Sequence, residues 1–165
     1  MQQHLAARRG FTLIELVVVI VLLGIVAVYA ASRYTGISSF SSVTTQSEVL
    51  ASLRLTQNRA MQRTDLCNRW LVSNNQAQQV SPSVSAGACT TSLLSPATDS
   101  SFVDAAANDI TLTLTNNDGS HFLDFDSLGR AAQCLAANCT VTLNNLQSGE
   151  SRQVCINSEG YIYAC

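Results

Sequence analysis

The sequence predicts an α+β protein: one long N-terminal helix, apolar enough in its first half to cross a membrane, packed through its second half on an antiparallel β-sheet head. Three observations carry that reading. From Phe11 to Ala31 every side chain except Thr12 and Glu15 is apolar or glycine. The chain then continues to about Thr64 without proline, with apolar residues at helical intervals. Beyond Asp65 the pattern changes to a period of two, broken by turn residues. The expected organisation is a leader at 1–10, a transmembrane helical half at 11–31, a soluble helical half at 32–64 and a β-rich, disulfide-containing head at 65–165.

At about 1.5 Å of rise per residue, the stretch 11–31 is long enough for a hydrocarbon core of roughly 30 Å. Arg8 and Arg9 stand just ahead of it, so the positive-inside rule keeps the N-terminus cytoplasmic and exports everything after the span. A secretory signal peptide cut near Val28-Tyr29-Ala30 is the plainer alternative. Glu15 speaks against it. A carboxylate inside such a run costs about 2.5 to 3.5 kcal/mol on insertion scales unless it finds a partner, and a signal peptide gains nothing from one.

The run Gly10-Phe11-Thr12-Leu13-Ile14-Glu15 followed by a long aliphatic helix resembles the processing signature of type IV prepilins and of the pseudopilins of type II secretion. The resemblance implies that a prepilin peptidase cuts after Gly10 on the cytoplasmic face and that the new terminus, Phe11, is N-methylated. Glu15 becomes the fifth residue of the mature chain. It also implies a type IV pilin-like fold, a single pass through the inner membrane with the head in the periplasm, and later incorporation into a pilus or pseudopilus. The partners implied are membrane lipid, an inner-membrane assembly platform and other pilin or pseudopilin subunits. In a bundle of such helices the ammonium of one Phe11 can pair with the carboxylate of a neighbour's Glu15, each charge relieving the other in a dry environment.

In the outer helical half, Tyr34, Ile37, Phe40, Val43, Leu50, Leu53, Ala60 and Met61 recur at helical spacing and predict the face that packs on the sheet. "EVLASLRLTQNRAMQR" (48–63) resembles the helix of pseudopilin H and the FimT-like minor pilins, as do "FDSLGR" (125–130) and the terminal "VCINSEGYIYAC". "ASRYTGISSF" (31–40) resembles pilus subunits of the mannose-sensitive haemagglutinin kind. In the head, "CNRWLVS" (67–73) is a candidate strand, and 74–101 reads as loops and weak strands around Pro82 and Pro96. "ITLTLT" (110–115) and "HFLDFD" (121–126), joined by "NNDGS", predict a β-hairpin. "TVTL" (140–143), "RQVCI" (152–156) and "YIYA" (161–164) supply further strands, the last two joined by the turn "NSEG".

Six cysteines, Cys67, Cys89, Cys134, Cys139, Cys155 and Cys165, all follow the span, in the part that meets an oxidising compartment. Six allow fifteen complete pairings and the sequence selects none. Cys134 with Cys139, Cys155 with Cys165 and Cys67 with Cys89 is the expectation taken here. No C-x-x-C occurs and the two histidines, His4 and His121, are far apart, so neither a metal nor another cofactor is expected. Asp109, Asp118, Asp124 and Asp126 lack the ligand spacing of a calcium loop and read as solvated carboxylates. With no G-x-S-x-G and only His121 as an exported base, no enzyme is expected either.

Every basic residue is arginine, and loss of Arg8 and Arg9 leaves seven against eleven acids, a formal charge of −4, which argues against broad capture of nucleic acid. Arg54, Arg59, Arg63 and Arg69 form the one dense basic group and read as lining the wet side of a helix. The function expected from these resemblances is that of a minor pilin subunit of a type IV pilus, supporting pilus biogenesis or adhesion, and two further functions stay open at this point. The chain could serve as a minor pseudopilin of type II secretion, or as a pilus-displayed binding module, an adhesin or DNA receptor.

Overall fold

A computed structural model describes residues 11–63, 67–80, 89–93 and 99–165, with side chains described outside 31–39. The leader with Gly10, Pro82, Pro96 and the side chains of Tyr34 and Ile37 lie outside the described residues. Two compact units divide the chain, Met1–Ile37 and Ser38–Cys165. Helix α1, Leu13–Gln62, contributes to both.

In the first unit, the window Leu13–Ala30 has a mean hydropathy of 2.9. Valine and isoleucine are indifferent helix formers in water. In a hydrocarbon medium, however, an isolated segment can satisfy its backbone N–H and C=O groups only by closing them on itself as a helix.

The second unit is the head. Eight strands form two four-stranded sheets. They are β1 (Arg69–Ser73), β2 (Gln76–Val80), β3 (Val103–Asp104), β4 (Ile110–Thr115), β5 (Phe122–Asp124), β6 (Cys139–Asn145), β7 (Ser151–Ile156) and β8 (Ile162–Ala164). The first sheet has the order β3-β2-β1-β5 and the second β4-β6-β7-β8, with every pairing antiparallel. The β1–β2 hairpin turns through Asn74 and Asn75, both at positive φ, as a two-residue turn of this hand requires. One core joins the helix to both sheets, with Val49, Leu53, Trp70, Ile110, Leu123, Leu143, Val154 and Ile156 essentially inaccessible.

Two expectations need correction. The stretches 110–115 and 121–126 do not form a hairpin with each other: β4 pairs β6, with Leu112 opposite Leu143 and Leu114 opposite Val141, whereas β5 pairs β1. The register of β5 is fixed by charge as well as by apolar burial, because Arg69 stands directly opposite Asp124 and holds it by two hydrogen bonds of 2.7 Å. Period two identifies a strand's faces and leaves its partner open.

The second correction concerns α1. Leu53 and Ala60 are buried, but Phe40, Val43 and Met61 are exposed, Phe40 by 72%. The face toward the sheets is Ser42, Thr45, Val49, Ser52, Leu53, Thr56 and Ala60, spaced three and four apart. Four of these are hydroxyls: the head meets Ser42, Thr45 and Ser52 with polar groups, and Thr56 donates back to the Ser52 carbonyl of the helix itself. The Trp70 indole donates to Ser52 Oγ, and Ser52 in turn donates to the Ser101 carbonyl. Asn108 donates to Thr45, and Asn145 to Ser41 and Ser42. Each buried hydroxyl thereby keeps the partner without which its burial costs about 1 to 3 kcal/mol.

Candidate functional site

The candidate site is the start of α1. Thr12 precedes the first helical residue, and both its Oγ1 and its carbonyl oxygen accept from the Glu15 N–H, at 3.3 and 3.1 Å. Thr12 thus caps the helix start through the Glu15 N–H, and Glu15 places an acid in the first turn, where the helix dipole favours negative charge. Sequence reasoning passed over Thr12, although the T-x-x-E spacing ahead of an apolar run was the signal for it. The cap orders the backbone that connects Phe11 to the span.

Phe11, Leu13 and Ile14 are largely exposed in the isolated chain, as are all the apolar side chains of the window that follows. Among the described residues no cation lies within ion-pair distance of the Glu15 carboxylate. A long apolar helix that covers none of its own surface and carries one carboxylate at its start is built to be covered by lipid or by other helices. Gly10, on the other side of the expected scissile bond, lies outside the described residues.

The six cysteines form three disulfides, Cys67–Cys89, Cys134–Cys139 and Cys155–Cys165. The last ties the chain's final residue to β7 and so holds the short edge strand β8. Cys67, Cys89 and Asp124 bring donor atoms within 4.8 Å of one another, but the sulfurs are bonded to each other and the carboxylate is engaged by Arg69. That donor set is already satisfied inside the protein.

The basic group is dispersed by the fold. Arg69 is buried on β1, with its guanidinium over the Phe122 ring at 3.5 Å and on Asp124. Arg59 joins α1 to Asp99, Gln79 and Ser100. Neither lines a wet helix face as the spacing suggested, because each has a carboxylate opposite it. Asp124 and Asp126 are likewise not merely solvated. Asp126 accepts from the Leu128 and Arg130 N–H groups and from the Arg130 guanidinium, which folds the "FDSLGR" turn. His121 is exposed beside a cavity of about 330 Å³ that Val72, Asn75 and Leu112 also line, and among the described residues no hydrogen bond joins it to a serine or a carboxylate.

These pairs set an acid limit. At Asp126 burial pushes the carboxyl up, and the Arg130 backbone and guanidinium bonds, the Leu128 N–H and the Arg130 charge outweigh it, holding the group below its ordinary 3.8. At Asp99 burial is likewise outweighed, by hydrogen bonds from Ser101 and Arg59. A carboxyl depressed on folding contributes stability that is fully present above its unfolded pKa and is lost as pH falls through the folded one. The unfolding midpoint is therefore expected to be flat from pH 7 to about 5 and to fall below about pH 4. Thermal unfolding across that range checks this, and Asp99→Asn should flatten the acid slope.

The prokaryotic N-terminal methylation motif family matches residues 5–31. No curated protein and no solved structure matches the chain. The matched segment contains the capped helix start and most of the apolar helix, and it supports a type IV pilin or pseudopilin, a structural family processed by prepilin peptidase and assembled with other pilin subunits. The α+β build, an N-terminal apolar helix with antiparallel sheets, is type IV pilin-like.

Proposed function

We propose that this chain is a minor pilin of a type IV pilus. Prepilin peptidase cuts it between Gly10 and Phe11, Phe11 is N-methylated, and the mature chain waits in the inner membrane with its head in the periplasm until the assembly platform draws it into a filament. The observation that carries the proposal is Glu15, a lone carboxylate in the first turn of an apolar helix that starts at the methylation motif. Its charge is useful where an ammonium meets it out of water, and a methylated Phe11 in a helical bundle supplies one.

A pilus is favoured over a secretion pseudopilus by the cysteine-rich head and by "ASRYTGISSF" (31–40). The role of DNA receptor is weakened by Arg59 and Arg69, which the fold commits to internal carboxylates. The testing measurement is the intact mass and N-terminal sequence of unreduced protein from envelope membranes. A chain that begins at methylated Phe11, lighter than its reduced form by the six hydrogens of three disulfides, is the expected result. A chain that begins at Ala31 would mean removal of a signal peptide and would overturn the proposal.

A further inference from the structure

We infer that the head carries a binding site for a neutral sugar, a single hexose or the end of a glycan, in the cleft where its two sheets meet. The inference stands apart from the filament reading, because every residue it uses lies in the head. The cleft is the cavity of about 330 Å³ beside His121, and Val72, Ser73, Asn74, Asn75, Leu112 and His121 line it. That volume is near the lower end of the range for small-molecule sites, about 300 to 1,000 Å³. β1 and the turn after it supply one wall, β4 another, and the residue just before β5 completes the rim.

The walls are fixed before any ligand arrives. The Leu112 N–H donates to Asn75 Oδ1 at 3.1 Å and the Ala105 N–H to the Asn75 carbonyl at 3.2 Å, so Asn75 ties the first sheet to the second. The Val72 N–H donates to the His121 carbonyl at 2.9 Å and anchors the rim. Asn75 keeps this place at a φ of 60°, a conformation that favours glycine, yet glycine would forfeit the bond to Leu112. A ligand that enters a cleft held in this way loses little to ordering the protein.

Floor and rim differ in chemistry. Val72 and Leu112, each 8% exposed, are the most accessible members of the buried core, so the cleft opens directly on it. Around them stand groups that the fold leaves uncommitted among the described residues: the Ser73 hydroxyl, the Asn74 amide, the His121 imidazole and Asn75 Nδ2, whose companion Oδ1 is already taken. They offer both donors and acceptors, and among the described residues no charged side chain lines the cleft. A carboxylate or phosphate finds no cation there, and an ammonium finds no anion. A planar base finds no Phe, Tyr or Trp on which to stack. A hexose suits both halves of the site, because each of its hydroxyls donates and accepts while the C–H face of the ring covers the aliphatic floor.

The test uses the full chain in detergent, titrated with a panel of neutral hexoses and N-acetylhexosamines, each as the free sugar and as its methyl glycoside. The readout is the His121 ring-proton signal in NMR. The sequence has two histidines and His4 precedes the span, so the signal that His121→Ala removes is assigned at once. At least one sugar is expected to shift it saturably, with a Kd on the order of 1 mM. Asn74→Gly keeps the left-handed backbone of the turn and removes only the amide, so it should weaken binding about tenfold without lowering the unfolding midpoint, and Ser73→Ala about threefold. Preference for a methyl glycoside would identify the end of a glycan and preference for the free sugar a solute, either of which upholds the inference. No shift with any member of the panel at about 50 mM, an equal shift with glucuronate or glycerol, or binding unchanged in both variants would each overturn it. None of these outcomes bears on whether Phe11 is processed or the chain enters a filament.

Discussion

Gly160→Ala is expected to destabilise the head by about 2 to 4 kcal/mol and to lower its unfolding midpoint by roughly 10 °C. Gly160 has a φ of 86°, where a side chain is strained whatever its surroundings, at a cost of about 1 to 2 kcal/mol. Here a Cβ would also collide with the Gly129 carbonyl. That oxygen cannot retreat freely, because it accepts from Gln57, whose amide holds Gly160 as well. Gly149 is the control: its φ of 69° is similar, but a Cβ there meets nothing within 4 Å. Gly149→Ala should therefore show the strain alone, about 1 to 2 kcal/mol. Near-uv circular dichroism during thermal unfolding of the detergent-solubilised chain measures both. Equal losses in the two variants would mean that the collision at Gly129 carries no energy.

How much of this was legible in the sequence varied with the kind of interaction involved. The apolar helix was legible because a span is a matter of composition and length, and most strands of the second sheet were legible because one face of each is buried. The choice of partners was not. "ITLTLT" and "HFLDFD" around "NNDGS" look like a hairpin locally, yet β5 is drawn to β1 by an arginine some fifty residues earlier in the chain. The packed face of α1 was misjudged for a related reason: apolarity was the only guide, and the head instead buries serines and threonines by offering them Trp70, Asn108, Asn145 and a carbonyl. A hydroxyl reads as a solvent-facing residue until its distant partner is known. Arg59 and Arg69 look wet in the sequence for the same want of partners. At the candidate site the position is reversed. Glu15 stood out because an unmatched charge is conspicuous in apolar surroundings, while Thr12, three residues away, blended into a helix start that it in fact shapes.

Glu15→Ala is expected to leave cleavage at Gly10–Phe11 nearly unchanged and to remove the chain from filaments. The two effects separate because they use different parts of the residue. The cap at the helix start uses the Glu15 N–H, donated to Thr12, and alanine keeps it. The segment presented to the peptidase therefore holds its shape. The side-chain carboxylate, by contrast, has no cation near it among the described residues, and in the proposed filament its partner is a neighbour's Phe11. If the proposed pairing holds, removing it strands a neighbour's Phe11 ammonium in a dry bundle, a loss of about 3 to 5 kcal/mol, or two to three orders of magnitude in an association constant. Glu15→Gln should fail almost as badly, since it keeps the shape and loses the charge. Thr12→Ala provides the opposite control, with a helix weakened by about 1 kcal/mol but a carboxylate still present, and it should assemble. Comparing sheared filaments with envelope membranes by intact mass reads both steps at once. Normal incorporation of Glu15→Ala would refute the pairing, and incorporation that tracked Thr12 instead would assign the acid to helix capping alone.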